Sequence, residues 1–195
     1  MNKEDQIKEE IIEAARNLFQ RYGLFKTTME DIAKALNKGK STLYYYYKNK
    51  DEIFEAVVTN EIRDVFKEVA MAVENGITGE DKMRIYFLMM INSIKKRILL
   101  YQIIKGEIGE NLKTIVNLKY KMDNHEVQCI KEILGFGMER KEWVSEIEPD
   151  LDLLSYIIVS AMRGIMLDLI VEEKFPDWDT RINFLSEIFL RGLKR

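Results

Sequence analysis

Proline stands at only two of 195 positions, Pro149 and Pro176, and apolar residues return every three or four places through most of the chain. That spacing follows the turn of an α-helix, and no stretch sustains the two-residue alternation of a strand. Both prolines sit just ahead of a periodic apolar stretch, where a helix start tolerates them. The pattern predicts an all-α chain. With 47% hydrophobic and 32% charged residues it is a globular protein of one large domain or two small ones.

The periodicity places helices at about Lys3–Tyr22, at Thr28 to Leu36, at Lys40–Tyr46 and from Asn49 onward. Gly23 ends the first, as a residue free to take positive φ should. Thr27-Thr28-Met29-Glu30-Asp31 opens the second with capping hydroxyls followed by acids. Asn37-Lys38-Gly39 is a tight turn. Asn75-Gly76 to Gly79 breaks the fourth helix, and a fifth spans about Asp81 to Leu100. A long helix follows over about Glu110–Arg140, with a bend expected near Gly135 and Gly137. The last two run about Asp150–Lys174 and Asp177–Leu193.

The lone Cys129 excludes an internal disulfide and suits a reducing compartment. The N-terminus MNKEDQIKEE has no apolar leader, and no run reaches membrane-spanning length, so a cytoplasmic protein without membrane contact is expected. The net charge of -3 speaks against nucleic acid until it is divided. Residues 1–50 hold ten Lys+Arg against seven Asp+Glu, a net of +3; the remainder holds 20 against 26, a net of -6. Between Ile32 and Lys50 there are five lysines and no acid, interleaved with Ser41, Thr42, Tyr44 and Tyr45. These side chains bond phosphate or touch base edges.

A lysine run is most often a solvated face, and tyrosines are most often core. Tyr44 to Tyr47 cannot all face inward, because each is turned about 100° from the last. Leu43, Tyr46 and Tyr47 can pack, which leaves Tyr44 and Tyr45 outward beside lysines. Two short helices joined at Asn37, with Ile32, Ala33, Leu36, Leu43 and Tyr46 facing one another, have the form of a helix-turn-helix.

The stretch IAKALNKGKSTLYYYYKNK at residues 32–50, after Phe19, Gly23 and Thr27-Thr28, resembles the DNA-binding domain of TetR-type transcriptional regulators. The likeness covers about the first 55 residues; the rest agrees only in helix number and length. It implies an N-terminal three-helix helix-turn-helix domain over residues 1–50, followed by a larger helical effector-binding and dimerisation domain over residues 51–195. It further implies contacts to double-stranded DNA from Thr27, Thr28, Lys40, Ser41, Thr42, Tyr44, Tyr45 and Lys50. Lys38 stands where the family usually has an apolar residue; it can bury its stem while its amine reaches phosphate. Gly39, often Ser in the family, can still cap the third helix.

The stretch from Leu151 to Val171 is apolar nearly all round, and the last helix carries a wide apolar set. Two such helices per chain can form a four-helix bundle across a two-fold axis. The resemblance also points to a homodimer, with Ile158, Met162, Ile165, Leu169, Leu185, Ile188 and Phe189 as its interface. It implies a pocket for a largely apolar small-molecule effector as well. Candidates to line it are Phe87, Met90, Asn92, Tyr120, His125, Met162, Arg163 and Met166, although methionine at helical spacing is ordinarily core.

His125 and Cys129 share a helix face at a spacing that can hold a metal, but the chain has no second His or Cys, and no metal or cofactor is expected. No glycine-rich phosphate loop or G-x-S-x-G is present, so an enzyme is not expected. The expected function is a ligand-responsive repressor that binds a palindromic operator as a dimer and is released by a small molecule. The alternatives are an all-helical small-molecule binding protein or enzyme without DNA binding, and a helical adaptor that is monomeric in isolation.

Overall fold

The computed structural model describes residues 2–96 and 112–166, together with Phe184, Glu187, Ile188 and residues 190–192. Helix α1 spans Lys3–Tyr22, α2 Met29–Ala35, α3 Lys40–Tyr46, α4 Lys50–Glu74 and α5 Gly79–Lys96. Helix α6 spans Leu112–Glu139; a 3-10 turn at Ser145–Asp150 then leads into α7, Leu151–Met166. The last expected helix lies largely outside the described residues.

Helix starts follow local chemistry. Asn2 caps α1 by accepting from the Asp5 amide at 2.8 Å, and Asp5 returns the bond to the Asn2 amide. Thr28 and Asp31 make the same reciprocal pair at α2. Gly23 ends α1 at φ 83° and Asn37 turns between α2 and α3 at φ 51°.

Helix α4 is the axis of the molecule. Its buried face carries Ile53, Phe54, Val57, Val58, Ile62, Val65, Val69 and Val73. It packs on α1 near its start and on α5 and α6 beyond. Phe54 meets Phe19 of α1 edge to face, with ring centroids 5.8 Å apart. Glu61 interrupts the apolar stripe, is itself buried, and pairs with Arg16 of α1 at 2.7 Å. At the far end the Lys82 ammonium donates to the Val73 carbonyl at 2.9 Å and lies 4.9 Å from the centre of the Phe136 ring.

Helix α6 runs continuously through Gly135 and Gly137, as the single long helix expected there. Gly137 gives a flat seat to Trp143, which is 1% exposed. A Cβ on Gly137 would stand 2.3 Å from the indole, whereas one on Gly135 meets nothing within 4 Å. The same turn is tied down by Glu142, whose carboxylate accepts from the Gly79 amide at 2.6 Å.

One buried polar pair crosses the body. Glu126 of α6 accepts from the Arg163 guanidinium of α7. The carboxylate is 2% exposed, and losing its water outweighs the guanidinium beside it, so the Glu126 carboxyl is pushed up to about 8. In the unfolded chain the same group titrates near 4.5. The folded protein thus holds this proton more tightly. The stabilisation is full below pH 4.5 and is lost as pH rises toward 8.

Three outcomes follow for stability. Gly137→Ala should cost about 1–3 kcal/mol in denaturant unfolding by overpacking the indole. Gly135→Ala should be neutral or stabilise by up to about 1 kcal/mol, since a helical glycine is replaced without a clash. Across the interval between the two Glu126 pKa values, unfolding midpoints of the native chain should decline relative to those of Glu126→Gln; parallel curves would contradict the assignment.

Candidate nucleic-acid interface

The head is built from α1, α2, α3 and the start of α4, with Ile11, Ala15, Phe19, Ile32, Ala33 and Leu43 buried between them. Leu43 is fully buried, and Tyr46 and Tyr47 pack half-buried against the core, which turns the opposite face of α3 outward. Tyr44 is 52% exposed and Tyr45 is 73% exposed. Ser41 is exposed beside them and Thr42 half-buried. Hydroxyls, aromatic faces and the Lys40 amine therefore share one surface, a set able to bond phosphate oxygens and base edges.

Several residues expected on that surface are used in construction. Thr27 is buried, and its hydroxyl donates to the Gly23 carbonyl at 2.8 Å, so it locks the α1–α2 loop rather than facing outward. The Lys50 ammonium donates to the Leu24 carbonyl at 2.7 Å and straps the same loop to the start of α4. Thr27 is thus turned away from the outward face, and the Lys50 ammonium is engaged by a loop carbonyl. Thr28 is exposed, but its hydroxyl accepts from the Asp31 amide and donates to the Asp31 carboxylate at 2.6 Å. The Thr28 hydroxyl and the Thr28 amide, both donating to the Asp31 carboxylate, hold its carboxyl below the usual range.

Charge on this face is partly internally paired. Lys40 reaches Glu30 of α2 at 2.7 Å, Lys34 reaches the same carboxylate at 3.1 Å, and Lys38 reaches Glu10 of α1 at 2.6 Å. The Lys40 and Lys34 ammonium groups hold the Glu30 carboxyl down at about 2, and Glu30 in turn raises Lys40. The lysine-rich stretch itself has no acid, so these partners come from elsewhere in the head.

In the body, Phe87 and Met90 are buried beside Met83 and Tyr86. Met162 packs half-buried against the core and Arg163 pairs with Glu126. Asn92 and His125 are exposed instead, His125 lying 5.5 Å from the ring of Phe66, so neither joins that buried group. The side chains of Tyr120 and Met166 lie outside the described residues. Glu126 is a site residue that sequence reasoning missed, although an acid four residues before Ile130, on the stripe that continues to Ile133, was a signal. Cys129 is half-buried and its thiol is pushed up to about 11 by burial, which disfavours the thiolate a metal needs. Among the described residues no group of three His, Cys, Asp or Glu could hold a metal ion.

The interface set also changes. Ile158 is buried within its own chain, while Ile165 and Ile188 are half-exposed. Leu153, Tyr156 and Ile157, which the set omitted, are more than half or about half exposed and form the outward side of α7. Leu169, Leu185 and Phe189 lie outside the described residues. No helix among the described residues is long and apolar enough to cross a membrane.

The family model of bacterial regulatory proteins of the tetR family matches residues 11–57, the segment that builds this head. An uncharacterized HTH-type transcriptional regulator of Bacillus subtilis, YhgD, is 23% identical over 187 residues, 95% of this chain and 96% of its own. The HTH-type negative transcriptional regulator of the biofilm operon icaADBC in Staphylococcus epidermidis, IcaR, is 44% identical over 54 residues, 28% of this chain and 29% of that one. The structure of the transcriptional regulator FadR from Bacillus subtilis in complex with stearoyl-CoA superposes with a TM-score of 0.72 at 17% identity, covering 95% of this chain and 98% of that one, a likeness of fold. The helix-turn-helix head thus matches the tetR family of bacterial regulatory proteins, and a relative similar over nearly the whole chain is itself an HTH-type transcriptional regulator.

Proposed function

We propose that the protein is a dimeric repressor released from its operator by a small molecule. The observation that carries this is the outward face of α3, where Tyr44 and Tyr45 stand exposed beside Lys40 and Ser41 while Leu43 anchors the helix from behind. Residues 1–50 form the reading head and residues 51–195 the effector-binding and dimerisation body. Ser41, Thr42, Tyr44 and Tyr45 read the major groove, and Lys40 with Thr28 and Lys38 contacts the backbone. One helix of seven residues meets few bases; two, set about one helical turn (~34 Å) apart, read a palindrome.

A homodimer is supported by the outward side of α7, where Leu153, Tyr156, Ile157 and Ile165 are half-exposed or more, a concentration that an isolated chain seldom leaves in water. Phe184 and Ile188 add exposed apolar surface near the C-terminus. The effector is largely apolar, in keeping with Met83, Tyr86, Phe87 and Met90 within the body and with the acyl-CoA ligand of the structurally similar FadR. It favours a dimer geometry with the wrong half-site spacing, and its differential affinity for the two geometries sets how far it releases DNA. Because the work is recognition and release, no enzymatic step is assigned.

Operators selected from a random duplex pool by the full-length protein provide the substrate for testing. Lys40→Ala with Tyr44→Ala should weaken operator binding at least about tenfold and lower the salt slope by roughly one. An affinity indifferent to both changes would exclude α3 as the reading element. Thr27→Val should lower stability by about 1 kcal/mol and leave the salt slope intact. Ile157→Asp should turn the dimer into monomers in light scattering; a native chain that is already monomeric would overturn the dimer.

A further inference from the structure

Three lysines of the proposed phosphate face, Lys34, Lys38 and Lys40, are held by carboxylates of α1 and α2. Glu30 lies on α2 and takes two ammonium groups at once, one from its own helix and one from α3. Glu10 lies on α1 and takes Lys38 from the turn, 28 residues away in sequence. The N–O distances of 2.6 to 3.1 Å are those a lysine makes to a phosphate oxygen. Both carboxylates keep substantial contact with water, each more than 40% exposed as a side chain; Lys40 is 55% exposed and Lys38 26%. Such pairs are individually weak and can be exchanged.

We propose that Glu30, assisted by Glu10, is a built-in competitor for the DNA backbone. It occupies the place of a phosphate on Lys34 and Lys40 in the free protein and must be displaced when DNA binds. A phosphate cannot join the same amines while the carboxylate remains without setting two anions side by side. The effect is a threshold on all DNA binding. Sites offering only phosphates, the bulk of any genome, are held weakly, whereas an operator adds base contacts from Tyr44, Tyr45 and Ser41 that make up the difference. The depressed Glu30 carboxyl accords with this arrangement, since the carboxylate stays charged at any pH where the protein works.

The proposal rests on the DNA-binding role assigned above, and needs no knowledge of the operator. It is tested with the full-length protein and a fluorescent duplex of roughly 30 bp of scrambled sequence, at about 50 and 200 mM salt. Glu30→Gln should bind about 3- to 10-fold more tightly than the native chain at the lower salt, with the gain shrinking at the higher. Glu10→Gln should show a smaller gain. Glu4→Gln, an equal change of charge at the exposed first turn of α1, is the control for net charge. Combining Glu30→Gln with Lys40→Ala should abolish most of the gain. Far-ultraviolet circular dichroism and thermal midpoints confirm that the variants are folded; should Glu30→Gln unfold, Glu10→Gln carries the test against the same control. If Glu30→Gln binds more weakly, the carboxylate positions Lys40 instead of competing, and the proposal is wrong. A gain no larger than that of Glu4→Gln overturns it equally. A native chain without salt-dependent binding to any duplex would overturn the DNA-binding role itself, and the proposal with it.

Discussion

The buried stripe of α4 is the element on which the remaining structure depends. Its eight apolar positions run from Ile53 to Val73 along a helix of 25 residues, about 37 Å long. The first of them pack against α1, and the later ones against α5 and α6. A core that is continuous along one rigid rod gives the head no hinge of its own at the start of α4. The Arg16–Glu61 pair reinforces the joint from within: Glu61 sits inside the apolar stripe, and its buried carboxylate takes the Arg16 guanidinium of α1 at 2.7 Å. Movement of the body that tilts α4 must therefore carry the head with it, which is the mechanical requirement for an effector to act on DNA at a distance.

The head shows how two helices of seven residues persist when neither could stand alone in water. Leu43 and Ile32 are driven inward, Thr28 and Asp31 close the start of α2, and Thr27 and Lys50 fasten the preceding loop. The cost is that residue types suited to DNA contact are partly consumed by the scaffold. Thr27 and Lys50 were both legible as polar members of the helix-turn-helix segment, yet their hydrogen-bonding groups point at the carbonyls of Gly23 and Leu24. Tyr44 and Tyr45 were placed outward by a simple angular argument, and that argument holds because Leu43 fixes the rotation of α3.

In the body, the buried cluster around Met83, Tyr86, Phe87 and Met90 could be named from spacing, since apolar side chains at helical intervals face a core wherever the helix packs. Membership of one polar residue or another could not. Asn92 and His125 are exposed, and Ile158 faces inward where Leu153 and Ile157 face outward. On a helix that is apolar nearly all round, the sequence contains no contrast from which to choose the inner side.

Sequence alone determined the helical class, the capping hydroxyls at Thr27-Thr28 and the turn at Asn37, because each is decided by residues within about four positions of one another; the tetR-like head was legible in the order of its motif residues. The split of a -3 chain into a basic head and an acidic body was equally readable. Tertiary structure decided what pairs across elements: Lys40 and Lys38 with Glu30 and Glu10, Arg16 with Glu61, Arg163 with Glu126, and Trp143 on Gly137. Those partners are brought together only when helices cross, and the distance between two charges in space is not encoded by their separation along the chain. The basic face read from the sequence is therefore, in the folded protein, one on which Lys34, Lys38 and Lys40 are already paired with carboxylates.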